Sequence, residues 1–318
     1  MVSEILSIIN IKKNISKNDS SVKRSLSEKT ISAFLWLGTG SGLQSIMQLL
    51  VLAILARLID PSDFGVLHVT LIVVGFARLM SQMGIGPAIV QKNNLSYNHI
   101  YSGFTISLVF GVILALILCL FSNAIEAFFK MHGLGFILKI ISTIFIIESF
   151  IVIPQSLLQR DLKLKEYATI NIISYLFGYG LVGIGLAALG YGVYSLVWAL
   201  VFQSILKACI ATYLVPRFYI LTFHYKSLKE LLYFGGGVTT AQFANYLAAE
   251  SDSIITGRYL GAEALGLYSR AYSIMVKPVN LLGSAVDKAL FPSMSTIQKD
   301  HQRLKSAYLK GIGSLAYI

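Results

Sequence analysis

Two stretches of this chain, residues 31–56 and 101–125, contain no charged side chain at all. Each outruns the ~20 residues that an α-helix needs to cross a hydrocarbon core of ~30 Å. A helix apolar all round has no polar face to give to water, so it belongs in a protein interior or in lipid. The chain is too poor in polar residues to wrap such helices in a soluble shell. Of its 318 residues, 55% are hydrophobic and 13% charged, whereas soluble domains carry roughly a quarter charged. In lipid every backbone N–H and C=O must be satisfied internally. Long uniform runs do this as helices, so the sequence specifies an all-α polytopic membrane protein.

Hydropathy and turn residues place eight spanning helices at 31–56, 64–90, 101–122, 134–157, 168–189, 193–214, 229–250 and 264–287, with a ninth beginning at 305–318. Ser25 to Glu28 form a Ser-x-x-Glu capping box ahead of the first. Pro87 and Pro278 are the expected bends in the second and eighth. The first 29 residues form a basic tail with no short apolar stretch and cleavage site of a signal peptide. With the N-terminus in the cytoplasm, sixteen Lys/Arg fall on that side, against only Arg57, Lys130 and Arg258 on the other. The positive-inside rule favours that orientation. It also accounts for much of the net charge of +11, which is scattered loop by loop; no nucleic-acid partner is implied.

A short turn then recurs. Residues 55–66 read LARLIDPSDFGV and residues 256–267 read TGRYLGAEALGL. Arg57 matches Arg258, Asp60 matches Gly261, Asp63 matches Ala264 and Gly65 matches Gly266, at a constant offset of 201 residues. Upstream, LWLGTG (35–40) resembles LYFGGG (232–237). Helices seven and eight thus repeat helices one and two. The shift is six spans, an even number, so the two units have the same orientation, as in parallel-repeat transporters. The expected organisation is a cytosolic tail (1–29), a six-helix lobe (30–216), a cytosolic connector (217–228) and an incomplete second lobe (229–318). Because the ninth helix is only begun, the repeat predicts that the chain is truncated.

Several segments carry a family resemblance: ARLIDPSDFGVL, GIGPAIVQK (84–92), LQRDLKLKEYA (158–168), GRYLGAEALGLYSRAY (257–272) and LFPSMSTIQKDHQRLKSAYLK (290–310). Together they resemble the bacterial polysaccharide exporters of the colanic-acid and O-antigen type. These belong to the superfamily of multidrug, oligosaccharidyl-lipid and polysaccharide flippases. The resemblance implies a multi-pass inner-membrane protein of two six-helix lobes. It implies alternating-access export of lipid-linked, anionic oligosaccharide, coupled to an ion gradient, with membrane lipid and other polysaccharide-assembly proteins as partners.

Charges inside membrane helices are expensive and so are functional candidates by default. Arg270 and Lys277 are seven apart, about 700° of helical rotation, and share one face within ~20°, with Asn280 three residues further on and nearby. Arg78 lies ~21 Å into helix two by helix rise. Arg78, Arg270, Lys277 and Asn280 are candidates for a cavity that attracts diphosphate, or for snorkelling to the interface. Glu148 is deep and needs a partner from another helix, because Lys139, nine residues away, lies about 180° round. It is either an ion-coupling site or half of a structural ion pair. Lys207 reads as snorkelling. Gln44 and Gln48 on helix one, and Gln242 and Asn245 on helix seven, form polar stripes paired by the repeat, with Asp252 just past the end of helix seven as a second coupling candidate. The stripes are expected to line a cavity between the lobes or to bond helices within one.

Other classes fit less well. Cys119 and Cys209 sit in apolar runs, and no Cys/His spacing suits a metal. No cofactor is implied. A membrane polymerase or acyltransferase would want a large outer loop or a catalytic constellation, and the five histidines read as isolated. No HExxH, GxSxG or P-loop motif occurs. A drug or cation antiporter of the same superfamily would prefer acidic cavity residues. A fragment acting as an assembly partner is the remaining alternative.

Overall fold

The computed structural model describes residues 42–82, 84–92, 94–216 and 220–296. The basic tail, the capping box at Ser25–Glu28 and the segment 305–318 lie outside them. Helix α1 spans Gly42–Leu58. It is followed by α2 (Pro61–Gln82), α3 (Ile85–Gln91), α4 (Tyr97–Phe129) and α5 (Leu134–Arg160). Next come α6 (Leu164–Ala188) and α7 (Val193–Leu214). Helical backbone then runs over Tyr225–Thr296, interrupted at Gly261 (φ 85°, ψ −177°). We call its two parts α8 (225–260) and α9 (262–296).

Helices α4, α5, α6 and α7 are long and apolar enough to cross a membrane. Helices α1 and α2 supply shorter apolar stretches, Gly42–Leu58 and Pro61–Phe76. Helix α4 presents Val112, Leu116, Leu120 and Phe121 outward, with Leu120 79% exposed. Such a band would be an aggregation liability in water and is ordinary against lipid.

The described residues up to Ser269 form one compact unit, and those from Arg270 onward belong to a second. In the first unit α5 is the central post. Its Ile137, Leu138, Ile141, Ile144 and Phe145 are buried among side chains of α2, α4 and α7. Helix α1 packs through Val51 and Leu55 on Phe64 and Leu67 of α2 and on Leu196 of α7. The α4–α5 corner is closed by Glu126, which accepts hydrogen bonds from the backbone N–H groups of Gly133 (3.2 Å) and Gly135 (2.7 Å). That satisfies donors otherwise orphaned at a helix start.

Two sequence expectations change. The second helix does not bend at Pro87. It breaks at Gly84 (φ 64°), and Pro87 sits in the first turn of α3. There its missing N–H costs nothing, while a left-handed residue is where glycine is cheapest. Helix six of the repeat scheme, 193–214, stands as read, but the fifth contains a wider, π-form turn over Leu176–Gly183. The seventh helix does not end at 250: α8 continues to Gly261, so Asp252 lies within it rather than beyond it. Hydropathy falls at Glu250 and Asp252, but a helix ends where the backbone can turn, and that is at the glycine.

Candidate functional site

The two copies of the repeated turn meet. Pro61, the first residue of α2, and Gly65 lie against Ala262, the first residue of α9, and Gly266. A Cβ on Gly65 would overlap the Ala262 carbonyl oxygen, and one on Gly266 would overlap the Pro61 carbonyl oxygen and stand 3.0 Å from the Gly65 nitrogen. The offset of 201 residues pairs Pro61 with Ala262 and Gly65 with Gly266. Each glycine therefore touches the counterpart of the residue that touches its twin. Such reciprocity is the mark of a two-fold contact, as at an isologous interface. The glycines are thus a close-approach device.

From that contact α8 runs down α2. Ala262 meets Gly65, and His68 Nε2 lies 3.2 Å from Ser253 Oγ and 3.8 Å from Glu250 Oε2. Tyr246 donates to the Ile72 carbonyl at 2.9 Å, and Phe243 packs edge-on to Phe76 at 5.1 Å between ring centroids. At the far end of α2–α3, Lys92 Nζ donates to Glu230 Oε2 at 2.5 Å, and His99 Nε2 lies 3.3 Å from the same oxygen. The histidines are therefore not all isolated: His68 and His99 both tie α8 to the rest of the unit. Gln242 and Asn245 fall beside the buried stripe of α8 and are exposed, while Gln44 and Gln48 on α1 are half-buried. Helix α8 lies along α2 through the Ser253, Tyr246 and Phe243 contacts.

Glu148 has its partner on another helix. Arg78 Nη2 donates to Glu148 Oε1 at 2.7 Å, joining α2 to α5. The carboxylate is 7% exposed and the guanidinium 39%. Lys207, on α7, is half-buried within electrostatic range of both, and Tyr179 and Tyr246 are within range of Arg78. Arg78 is thus the hub of a polar cluster inside an apolar bundle, and Lys207 belongs to that cluster instead of reaching for the interface. The sequence signal for this was present, since a third intramembrane charge needs a reason as much as the first two. Lys139 is exposed.

Asp252 accepts the hydroxyl hydrogen of Tyr268 and the Ser253 N–H. It thereby links α8 to α9. At the turn, the Asp63 carboxyl accepts from the Val193 N–H at the start of α7; burial and the neighbouring Asp60 charge push its pKa up, against the lowering effect of that bond. Arg270 is half-buried at the start of the second unit, and Lys277 and Asn280 fall further along α9. Among the described residues no group of three His, Cys, Asp or Glu is placed to hold a metal ion.

Apolar membrane-length helices around an interior polar cluster define a multi-pass α-helical membrane protein. The chain belongs to the family described as polysaccharide biosynthesis protein, whose profile matches residues 54–318. It is similar to the lipopolysaccharide biosynthesis protein WzxC of Escherichia coli strain K12, 27% identical over 90% of this chain and 58% of that one. It is 28% identical to the succinoglycan biosynthesis transport protein ExoT of Rhizobium meliloti, over 83% of this chain and 53% of that one. To the teichuronic acid biosynthesis protein TuaB of Bacillus subtilis it is 24% identical, over 92% of this chain and 61% of that one. The chain therefore spans between 53% and 61% of these three relatives' lengths. No solved structure matches it.

Proposed function

We propose that the chain is the first lobe and the opening helices of the second lobe of a polysaccharide transporter of the bacterial inner membrane. Its cargo is a lipid-linked, anionic oligosaccharide, moved by alternating access. The observation that carries this reading is the reciprocal contact of Gly65 and Gly266 with the carbonyls of Ala262 and Pro61. Two parallel copies of a helix pair that meet head to head at one face can part there and close at the other. The Lys92–Glu230–His99 cluster is the corresponding contact at the far end of α2–α3. The distribution of basic residues supports a cytoplasmic N-terminus, with the repeated turns on the outer face. The printed name of the relative ExoT supports export of a bacterial polysaccharide.

In this reading Arg78 is the lobe-one cation near the cargo path and Glu148 its coupling acid. Protonation of Glu148 would release Arg78 and Lys207 to an anionic cargo, which ties ion movement to cargo binding. Arg270, Lys277 and Asn280 are the second-lobe candidates for the diphosphate, and Asp252 a second acid.

The test is translocation of a polyprenyl-diphosphate-linked oligosaccharide in proteoliposomes, scored by the access of added glycosidase to the sugar. The expected result is translocation by the chain completed with a full second lobe, and at least a tenfold loss in its Gly65→Val variant. No translocation at equal incorporation would overturn the reading.

A further inference from the structure

Below the Arg78–Glu148 pair lies a cavity of about 750 Å³ between α3, α5 and α6. Its size falls in the ~300–1,000 Å³ range of small-molecule sites. Glu148 stands at its wall, and the rest of its polar lining is uncharged: Gln91, Gln155, Gln159, Ser156 and Tyr167. Gln155 and Gln159 are one helical turn apart on α5, so they share a face. Gln91, at the end of α3, comes to the same space.

The Gln155 amide is not spent on the fold. Gln155 Nε2 is shielded from solvent and has no hydrogen-bond partner among the described residues. Ser156, by contrast, donates to the Val152 carbonyl at 2.7 Å. Unpaired carboxamides are out of place against hydrocarbon. Each carboxamide carries two donor hydrogens and an acceptor oxygen, which matches the paired donor and acceptor character of a sugar hydroxyl. Tyr167 adds an aromatic side chain with a polar tip. Glu148 is held by Arg78, so the wall offers an anion little. The volume is also far larger than the ~30 Å³ share of a single water, as a proton-conducting file would need.

We propose that this cavity is a neutral-glycan subsite: it binds the uncharged hydroxyl-rich part of the cargo through Gln91, Gln155 and Gln159, apart from the cationic residues that take the diphosphate. The subsite rests on the transport reading for its physiological cargo, but its binding chemistry stands by itself.

The experiment is saturation-transfer NMR on the purified chain in lipid nanodiscs, with raffinose as a neutral probe and inorganic pyrophosphate as competitor. Wild type is expected to saturate the sugar protons. Gln155→Leu and Gln159→Leu should each cut the effect at least threefold. Gln155→Met keeps the length and loses the amide, and it should do the same without loss of fold. Pyrophosphate should leave the signal unchanged. Absence of saturation in the wild type, equal saturation in all variants, or displacement by pyrophosphate would each overturn the subsite. The proteoliposome assay is read separately: glutamine-dependent sugar binding without translocation would leave the subsite standing and remove the transport reading.

Discussion

Gly65 and Gly266 hold the starts of α2 and α9 against each other, each lying on a carbonyl that is the repeat counterpart of the other's. Contact this close leaves room for a hydrogen and not for a methyl. Gly65→Ala and Gly266→Ala should therefore each destabilise the chain by about 1–3 kcal/mol, the range for forcing extra methylenes into packed sites. Because the two positions share one contact, the double variant should cost less than the sum. Thermal unfolding in nanodiscs, followed by helical circular dichroism, measures all three; strict additivity would mean the two glycines do not share a contact.

The Arg78–Glu148 pair offers a second cycle. Removing one partner of a buried pair leaves an uncompensated charge and costs about 3–5 kcal/mol, whereas replacing both by apolar residues is often neutral. Arg78 is partly exposed, which places Glu148→Leu, the variant that leaves Arg78 unpaired, near the lower end of that range. Glu148→Leu should be worse tolerated than the double variant Arg78→Leu/Glu148→Leu, because it leaves Arg78 beside Lys207. Chemical-denaturation midpoints of the three variants test this. If the pair also couples ions, Glu148→Gln should abolish the dependence of translocation on an imposed proton gradient at equal stability.

A third contact separates packing from hydrogen bonding. A Cβ on Gly75 would overlap the Tyr246 hydroxyl and lie 2.8 Å from its Cζ, while that hydroxyl donates to the Ile72 carbonyl at 2.9 Å. Tyr246→Phe alone should cost about 1 kcal/mol, the net worth of one such bond. Gly75→Ala should cost more in wild type than in the Tyr246→Phe background, since removing the hydroxyl makes room for the methyl. Equal costs in the two backgrounds would show that α8 moves away from α2 instead of compressing against it.

Much of this architecture is legible in the sequence, for a physical reason: a membrane helix declares itself by local composition. Helix α7 occupies 193–214 as read, between Gly192 and Pro216, and α5 begins at the expected Leu134. Boundaries set by backbone rather than hydropathy read less well. Gly84, not Pro87, breaks the second helix, and α8 continues past the acidic side chains Glu250 and Asp252 to Gly261. Pairing was the least legible. Sequence alone says that Glu148 needs a cation from another helix, but Arg78, Lys207 and Arg270 all qualify until packing chooses. The glutamines of α5 show the opposite failure. Gln155 and Gln159 have the same i, i+4 spacing as Gln44 and Gln48, but such spacing alone does not distinguish a cavity wall from a helix contact. The repeat was legible as an offset, while the direct contact between its two copies was not, since nothing local encodes an encounter about 200 residues away.

The turn also contains a pH-sensitive group. Burial raises the Asp63 pKa, with Asp60 adding to the shift and the bond from Val193 opposing it. A carboxyl whose folded pKa exceeds its unfolded value, ~3.9, binds its proton more tightly in the folded state. Its contribution to stability is therefore fully present below the unfolded value and is lost as pH rises through the folded one. Asp63→Asn keeps an oxygen acceptor for the Val193 N–H and removes the titration. Between pH 4 and the raised folded pKa, the wild type should lose more stability with rising pH than Asp63→Asn does. At neutral pH the variant should be at least as stable as the wild type, because it buries no charge beside Asp60. Thermal midpoints of both proteins across pH 3 to 8 decide the matter; parallel curves would mean that the Asp63 carboxylate is as well solvated in the folded turn as in the unfolded chain.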